Sequence, residues 1–350
     1  MQSSFIDGTT LYKQHIFSLP VNYQAPEQGS IEVFAREVVS LEKDNESLPW
    51  LVYFQGGPGF PSPRASGESG WLKRALQSYR VLLLDQRGTG NSSVVNHATL
   101  AHLTPEQQAD HLVNFRADNI VRDAESIRKK LGIEKWATLG QSFGGFCTLT
   151  YLSLFPDSLL RCYVTGWIPS ITRHADDVYQ ATYQRVIDKN EAFFAQFPKA
   201  QTLCQEMADH LIANEVLLPN GQVFTVEQFQ LIGINLGRSG ANMPMYFTLE
   251  SAFEDHNGTK RLSYSFLNQM QQEQGYLTNP IYAFLHESIY CQNFASDWSA
   301  HRVRGDYPQF NYKQGDAFWF TGEMVFPWMF DQLQTLKPLK QAANILATKE

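Results

Sequence analysis

Residues 140–144, Gly-Gln-Ser-Phe-Gly, set one hydroxyl between two glycines, after a short apolar run (135–140) and before a helical pattern. A serine hydroxyl is a poor nucleophile near neutral pH unless a base takes its proton. What this arrangement offers is a mounting. In a strand–turn–helix context, G-x-S-x-G puts the serine on a tight, strained turn whose flanks have no room for side chains, hence the glycines. The following helix then aims the partial positive charge of its N-terminus at a developing oxyanion. The bare pentapeptide also recurs by chance, so the context carries the reading. A second cluster, Tyr53–Phe60 (YFQGGPGF), follows the strand expected beside that of Ser142. Three glycines around Pro58 let a loop turn sharply and bring a backbone N–H close, because no Cβ blocks the approach. The N–H groups of Gly57 and Phe143 would then form an oxyanion hole; the plain alternative is a tight surface turn. A third cluster, Asp85–Ser92 (DQRGTGNS), ends an apolar run. Asp85 and Arg87 read there as a buried pair bracing neighbouring loops.

The elements that must hold these residues are legible in the apolar pattern. Residues 11–21 and 31–41 alternate apolar and polar, as half-buried antiparallel strands do. Residues 48–57 and 79–88 are instead nearly continuous apolar runs ending at glycine, the mark of strands covered on both faces of a parallel sheet. Helices are expected at 69–78, at 104–131 (Thr104 as cap, Pro105 in the first turn) and after Ser142, with a further strand at 159–169. This alternation predicts an α/β fold with a mostly parallel, doubly wound sheet behind an antiparallel edge. From Ser170 to Tyr312 the text becomes successive amphipathic helices. The predicted organisation is a core at 1–169, a helical cap at 170–312 and a return segment at 313–350.

Composition narrows the function class. The chain has 350 residues, 43% hydrophobic and 18% charged, which suits a globular protein with a large core. A formal net charge of −7, with no basic stripe, argues against nucleic acid as a partner. No apolar run reaches the roughly 18–20 residues of a membrane span, and the first residues lack a secretory pattern. The scattered Cys147, Cys162, Cys204 and Cys291 read as buried free thiols of a reducing compartment, so a cytoplasmic location is expected.

QGGPG at Gln55–Gly59, DQRGTGNS at Asp85–Ser92 and GQSFGG at Gly140–Gly145, in that order, resemble the prolyl aminopeptidase (proline iminopeptidase) family of α/β-hydrolases. The family pattern has His where Gln55 stands. The likeness continues through TLESAF (248–253), NPIYAFLHESIYCQ (279–292) and FTGEMVFPWMF (320–330) to the cap of the longer family members. It implies an α/β-hydrolase core with a helical cap, and a serine peptidase that uses no metal or organic cofactor. The implied substrate is a small peptide with a free N-terminal proline. The resemblance also implies that Glu250 and Glu287 hold the substrate's ammonium, with Glu323 a third candidate. Burial of unpaired carboxylates is costly, so a substrate cation is a sensible partner for them; a solvated helix face is the alternative reading for each. Phe247, Phe253, Tyr290, Phe320 and Trp328 could line a pocket for the pyrrolidine ring or belong to the cap core.

A serine hydrolase of this fold takes its acid and then its histidine from loops after later strands. The histidines after Ser142 are His174, His210, His256, His286 and His301, all within the helical stretch, and no buried strand run follows residue 312. No triad Asp or His is found. The expectation is a family member cut short before those strands, with little peptidase activity and an open sheet edge that lowers solubility. The alternative is a recruited cap histidine, His286 or His301. Two other functions stay open: an esterase, amidase or lactonase on the same scaffold, and a non-catalytic remnant that binds prolyl peptides.

Overall fold

The computed structural model describes residues 3–67, 69–166, 170 and 172–350. The apolar runs become a seven-stranded sheet in the order β1-β2-β3-β5-β4-β6-β7. Its strands are β1 (Ser4–Asp7), β2 (Thr10–Pro20), β3 (Ser30–Ser40), β4 (Trp50–Phe54), β5 (Arg80–Leu84), β6 (Trp136–Gln141) and β7 (Leu159–Thr165). Pairing is antiparallel from β1 to β5 and parallel across β5-β4-β6-β7. The continuous apolar runs are the central strands, as their two-sided burial requires. Leu51 and Tyr53 of β4 pack under α1 (Gly70–Ala75) with Leu72, Val81 and Leu83. Phe54 points to the other face and meets the ring of Tyr151 in α4 (Phe143–Leu154) at 6.2 Å.

Two local expectations need correction. The helix predicted at 104–131 is two: α2 (Pro105–Leu112) and α3 (Ala117–Lys130), separated by a 3-10 turn at Val113–Phe115 and an extended Arg116. Its start is as read, with a full capping box between Thr104 and Gln107. The break has a tertiary cause, since the Arg87 guanidinium donates to the Asn114 carbonyl and the Asn114 amide turns back to the carbonyls of Asp110 and His111. Among the cysteines, Cys147, Cys204 and Cys291 are buried and form no disulfide, but Cys162 is exposed because β7 is an outer strand of the sheet.

Between α3 and α4, buried Glu125 accepts from Arg128 (2.6 and 2.9 Å) and from the Tyr151 hydroxyl (2.9 Å). Burial pushes its pKa up, but these hydrogen bonds and the Arg128 charge outweigh it, so the pKa falls from an ordinary 4.5 to about 2. A pKa depressed by folding stabilises fully above the unfolded value and ceases to do so as pH falls through the folded one. The urea-midpoint gap between wild type and Glu125→Gln should therefore shrink as pH drops from 4.5 to about 2. A gap independent of pH would show that Glu125 is not held ionised.

The chain divides into two compact units. One comprises Met1–Ile171, Thr278–Ile289 and Gln341–Leu346; the other comprises Thr172–Leu277, Tyr290–Lys340 and Ala347–Glu350. The first unit therefore includes α10 (Pro280–Leu285), which the sequence reading placed with the cap. The second unit is built mainly of α5 (Ala175–Gln196), α6 (Pro198–Ala213), α7 (Val226–Gln230), α8 (Asn242–Glu250) and α9 (Tyr264–Gln272). Phe193, Met207, Phe229, Phe266, Phe318 and Phe320 are part of its core. It also carries an unanticipated hairpin, β8 (Phe253–His256) and β9 (Thr259–Leu262), around Asn257-Gly258, both at positive φ. No helix among the described residues is long and apolar enough to cross a membrane.

Candidate active site

Parallel pairing aligns Phe54 of β4 with Gly140 of β6, and Gln141 with Thr165 of β7. The chain therefore leaves β4 and β6 at one carboxyl edge of the sheet, where α/β folds place their ligands. Ser142 sits there at φ 52° and ψ −116°, half-buried, as the residue that caps α4. A non-glycine residue in that region is strained and persists only where its surroundings over-determine it. The constraints are visible: Ser142 N–H donates to the Thr165 carbonyl (2.9 Å) and its own carbonyl accepts from Gly145 N–H (2.8 Å). The flanking glycines are steric requirements. A Cβ on Gly140 would stand 2.1 Å from the Gly144 oxygen, and one on Gly144 would stand 2.1 Å from the Phe54 oxygen.

The glycine loop meets the serine. A Cβ on Gly56 would lie 3.0 Å from the Gln141 oxygen and 3.1 Å from Ser142 Cβ, tighter than side chains ordinarily pack, so the loop backbone runs close beside the serine. Gly57, the expected oxyanion donor, follows at φ 133°. Phe143 opens α4, whose first N–H groups have no partner within the helix. Behind the loop, the buried Tyr53 hydroxyl lies 3.0 Å from Gln55 Oε1 and 2.8 Å from Gln141 Oε1, tying the two approaches together. Burial raises the Tyr53 pKa to about 12, so it acts as a neutral hydrogen-bonding group.

Comparison with known proteins decides the family. Residues 49–285 match the alpha/beta hydrolase fold family. The chain is 55% identical over 337 residues to a proline iminopeptidase of Aeromonas sobria, covering 96% of this chain and 78% of that protein. The chain belongs to the proline iminopeptidase family of α/β-hydrolases. A second family member, the proline iminopeptidase of Aspergillus aculeatus, is 36% identical over 95% of this chain and 75% of its own length. A tripeptidyl aminopeptidase of Streptomyces coelicolor shares 26% identity over 50% of this chain and 38% of its own.

Within this family frame, the expected amine-binding glutamates separate. Glu287 is 5% exposed and belongs to the unit that contains Ser142. It follows α10, which packs on the glycine loop: a Cβ on Gly59 would stand 2.8 Å from Ile281 Cβ, and the rings of Phe60 and Tyr282 lie 5.6 Å apart. Arg116 ties down the next residue by donating to the Ser288 carbonyl (3.2 Å). Glu250 departs from the expectation of a buried, unpaired carboxylate. It ends α8 in the second unit, half-exposed, 3.7 Å from Lys199 Nζ and accepting from the Tyr246 hydroxyl. Glu323 is exposed, in the second unit, where its charge adds to the effect of burial in raising the pKa of Tyr276.

The candidate pocket aromatics also disperse. All five lie in the second unit, where Phe320 is core, Phe247 is exposed, Tyr290 abuts Tyr179 and Trp328 stacks on Phe326. Phe253 lies partly buried under the Lys260 ammonium. Among the histidines after Ser142, His286 belongs to its unit, stacked on Tyr282, while His174, His210, His256 and His301 belong to the other. Among the described residues, no side chain hydrogen-bonds Ser142 Oγ. Asp85 and Arg87 are both buried, but they do not pair with each other. Asp85 binds Arg64, and Arg87 binds Asp123 of α3. Sequence reasoning overlooked Gln86 between them, which nothing in its residue type or spacing singles out.

Proposed function

We propose that this chain acts as a prolyl aminopeptidase with Ser142 as its nucleophile. The observation that carries the reading is the strained Ser142 elbow with the bare Gly56 backbone against it, in a chain so similar to proline iminopeptidases. Once a base takes its proton, Ser142 Oγ attacks the carbonyl carbon of the N-terminal prolyl residue, and the backbone N–H groups of Gly57 and Phe143 receive the oxyanion. Collapse breaks the peptide bond, and the hydroxyl proton leaves with the departing amine. Water then cleaves the prolyl ester, releases proline and restores the hydroxyl. Glu287 holds the secondary ammonium of the substrate, since its burial makes a cationic partner favourable. Free cysteines throughout support a reducing, cytoplasmic setting.

Prolyl-anilide hydrolysis tests this. Ser142→Gly is expected to abolish turnover while raising stability by about 1 kcal/mol, because glycine adopts the positive φ without strain. Glu287→Gln should raise KM about thirtyfold with kcat little changed, the effect of losing one charged hydrogen bond. Equal hydrolysis of free and N-acetylated prolyl anilides would instead support the esterase or amidase alternative. Turnover that survives Ser142→Gly would overturn the assignment.

A further inference from the structure

The loop from Gln55 to Ser62 lies beyond the end of β4, where no strand ladder holds it. Two side chains from the turn after β5 hold it instead. Gln86, 1% exposed, donates from Nε2 to the Gln55 carbonyl at 3.1 Å. Asp85, fully buried, accepts from Ser62 N–H at 3.0 Å and from both Arg64 Nη groups at 2.8 and 2.6 Å. The turn that supplies them is itself fixed. Asp85 N–H donates to the Phe34 carbonyl of β3, Thr89 Oγ1 donates to the Gln86 carbonyl, and Ser92 Oγ donates to the Asp85 carbonyl.

We propose that Gln86 and Asp85 are positioning residues, a two-point clamp that sets the distance of the glycine loop from Ser142. Gln86 holds the end that enters the loop and Asp85 the end that leaves it. The six residues between them, 56–61, include Gly57 and the Gly56 backbone packed on Ser142. An oxyanion donor works only within roughly 3 Å of the developing charge, so drift of the loop weakens catalysis without altering how the substrate's ammonium is held. The inference rests on the reading of Ser142 and this loop as the catalytic centre.

The test uses carbonyl-13C glutamine and 15N glycine, which together mark only the Gln-Gly peptide bonds: 28–29, 55–56, 274–275 and 314–315. Gln86→Met keeps the shape and removes the donor. The 55–56 signal should move and the other three stay, with exchange of the Gly56 amide about tenfold faster, as loss of one hydrogen bond implies. Prolyl-anilide kcat should fall about tenfold at unchanged KM and an unchanged thermal midpoint. Gln86→Leu, which likewise has no donor, should behave the same way. An unmoved 55–56 signal, or a moved one at wild-type kcat, overturns the clamp. A moved signal in a chain that hydrolyses no prolyl substrate refutes the reading of Ser142 and leaves the structural clamp standing.

Discussion

Gly144→Ala should cost more than about 4 kcal/mol of stability, a large part of what a domain has. The added methyl would stand 2.1 Å from the Phe54 oxygen, 2.8 Å from its carbonyl carbon and 3.1 Å from its Cβ. The first two are backbone atoms of β4, a central strand bonded to β5 on one side and β6 on the other, so they cannot swing aside as a flexible side chain would. Relief requires α4 to lift from the sheet at its N-terminus, where Ser142 is mounted. The substitution therefore attacks the fold and the nucleophile together, more severely than ordinary overpacking. Gly237→Ala is the control, since its new Cβ would meet nothing within 4 Å. Urea unfolding followed by circular dichroism should show Gly237→Ala near wild type and Gly144→Ala mostly unfolded. Equal midpoints would mean that α4 is not seated on β4 as described.

That sensitivity explains why the elbow was readable at the outset. Gly140 and Gly144 report a close backbone approach, a constraint that one-letter text expresses directly. The apolar runs of β4, β5 and β6 likewise report two-sided burial, and Thr104 with Gln107 writes out a capping box. Other features had no such signature. All four residues of β1 are exposed, so no alternation announces a strand. The break between α2 and α3 depends on Arg87 reaching Asn114 from 27 residues away, a contact that no local pattern encodes. Glu250 and Glu287 both sit among apolar neighbours in helical text, and only packing separates the half-exposed residue from the buried one. Residues 278–289 read as more cap helix because the place of Ile281, against both Gly59 and Gly88, is a tertiary fact. The β8–β9 hairpin is a different case: Asn257-Gly258 is a strong turn signature, and it was overshadowed by the helical segments around it.

Asp123→Ala is the second severe substitution, with an expected cost of about 3–5 kcal/mol. Asp123 holds the Arg87 guanidinium in a two-pronged pair, Nε to Oδ2 at 2.8 Å and Nη2 to Oδ1 at 2.6 Å, and both side chains are essentially shielded from solvent. Removing the carboxylate leaves a buried cation among the carbonyls of Pro20, Val21 and Asn114 and the rings of Tyr23 and Phe115. An uncompensated buried charge costs far more than the net contribution of the pair it came from. The double variant Arg87→Met/Asp123→Leu should therefore recover much of the loss, although three carbonyls then lack their donor. If Asp123→Ala and the double variant unfold at the same midpoint, the charge is not the cause. The functional consequence follows from chain order, since Arg87 is the neighbour of Gln86 and anchors the turn that holds the glycine loop. At a temperature where Asp123→Ala is still folded, prolyl-anilide kcat should fall while KM changes little, the same signature expected of Gln86→Met, because both changes loosen one support.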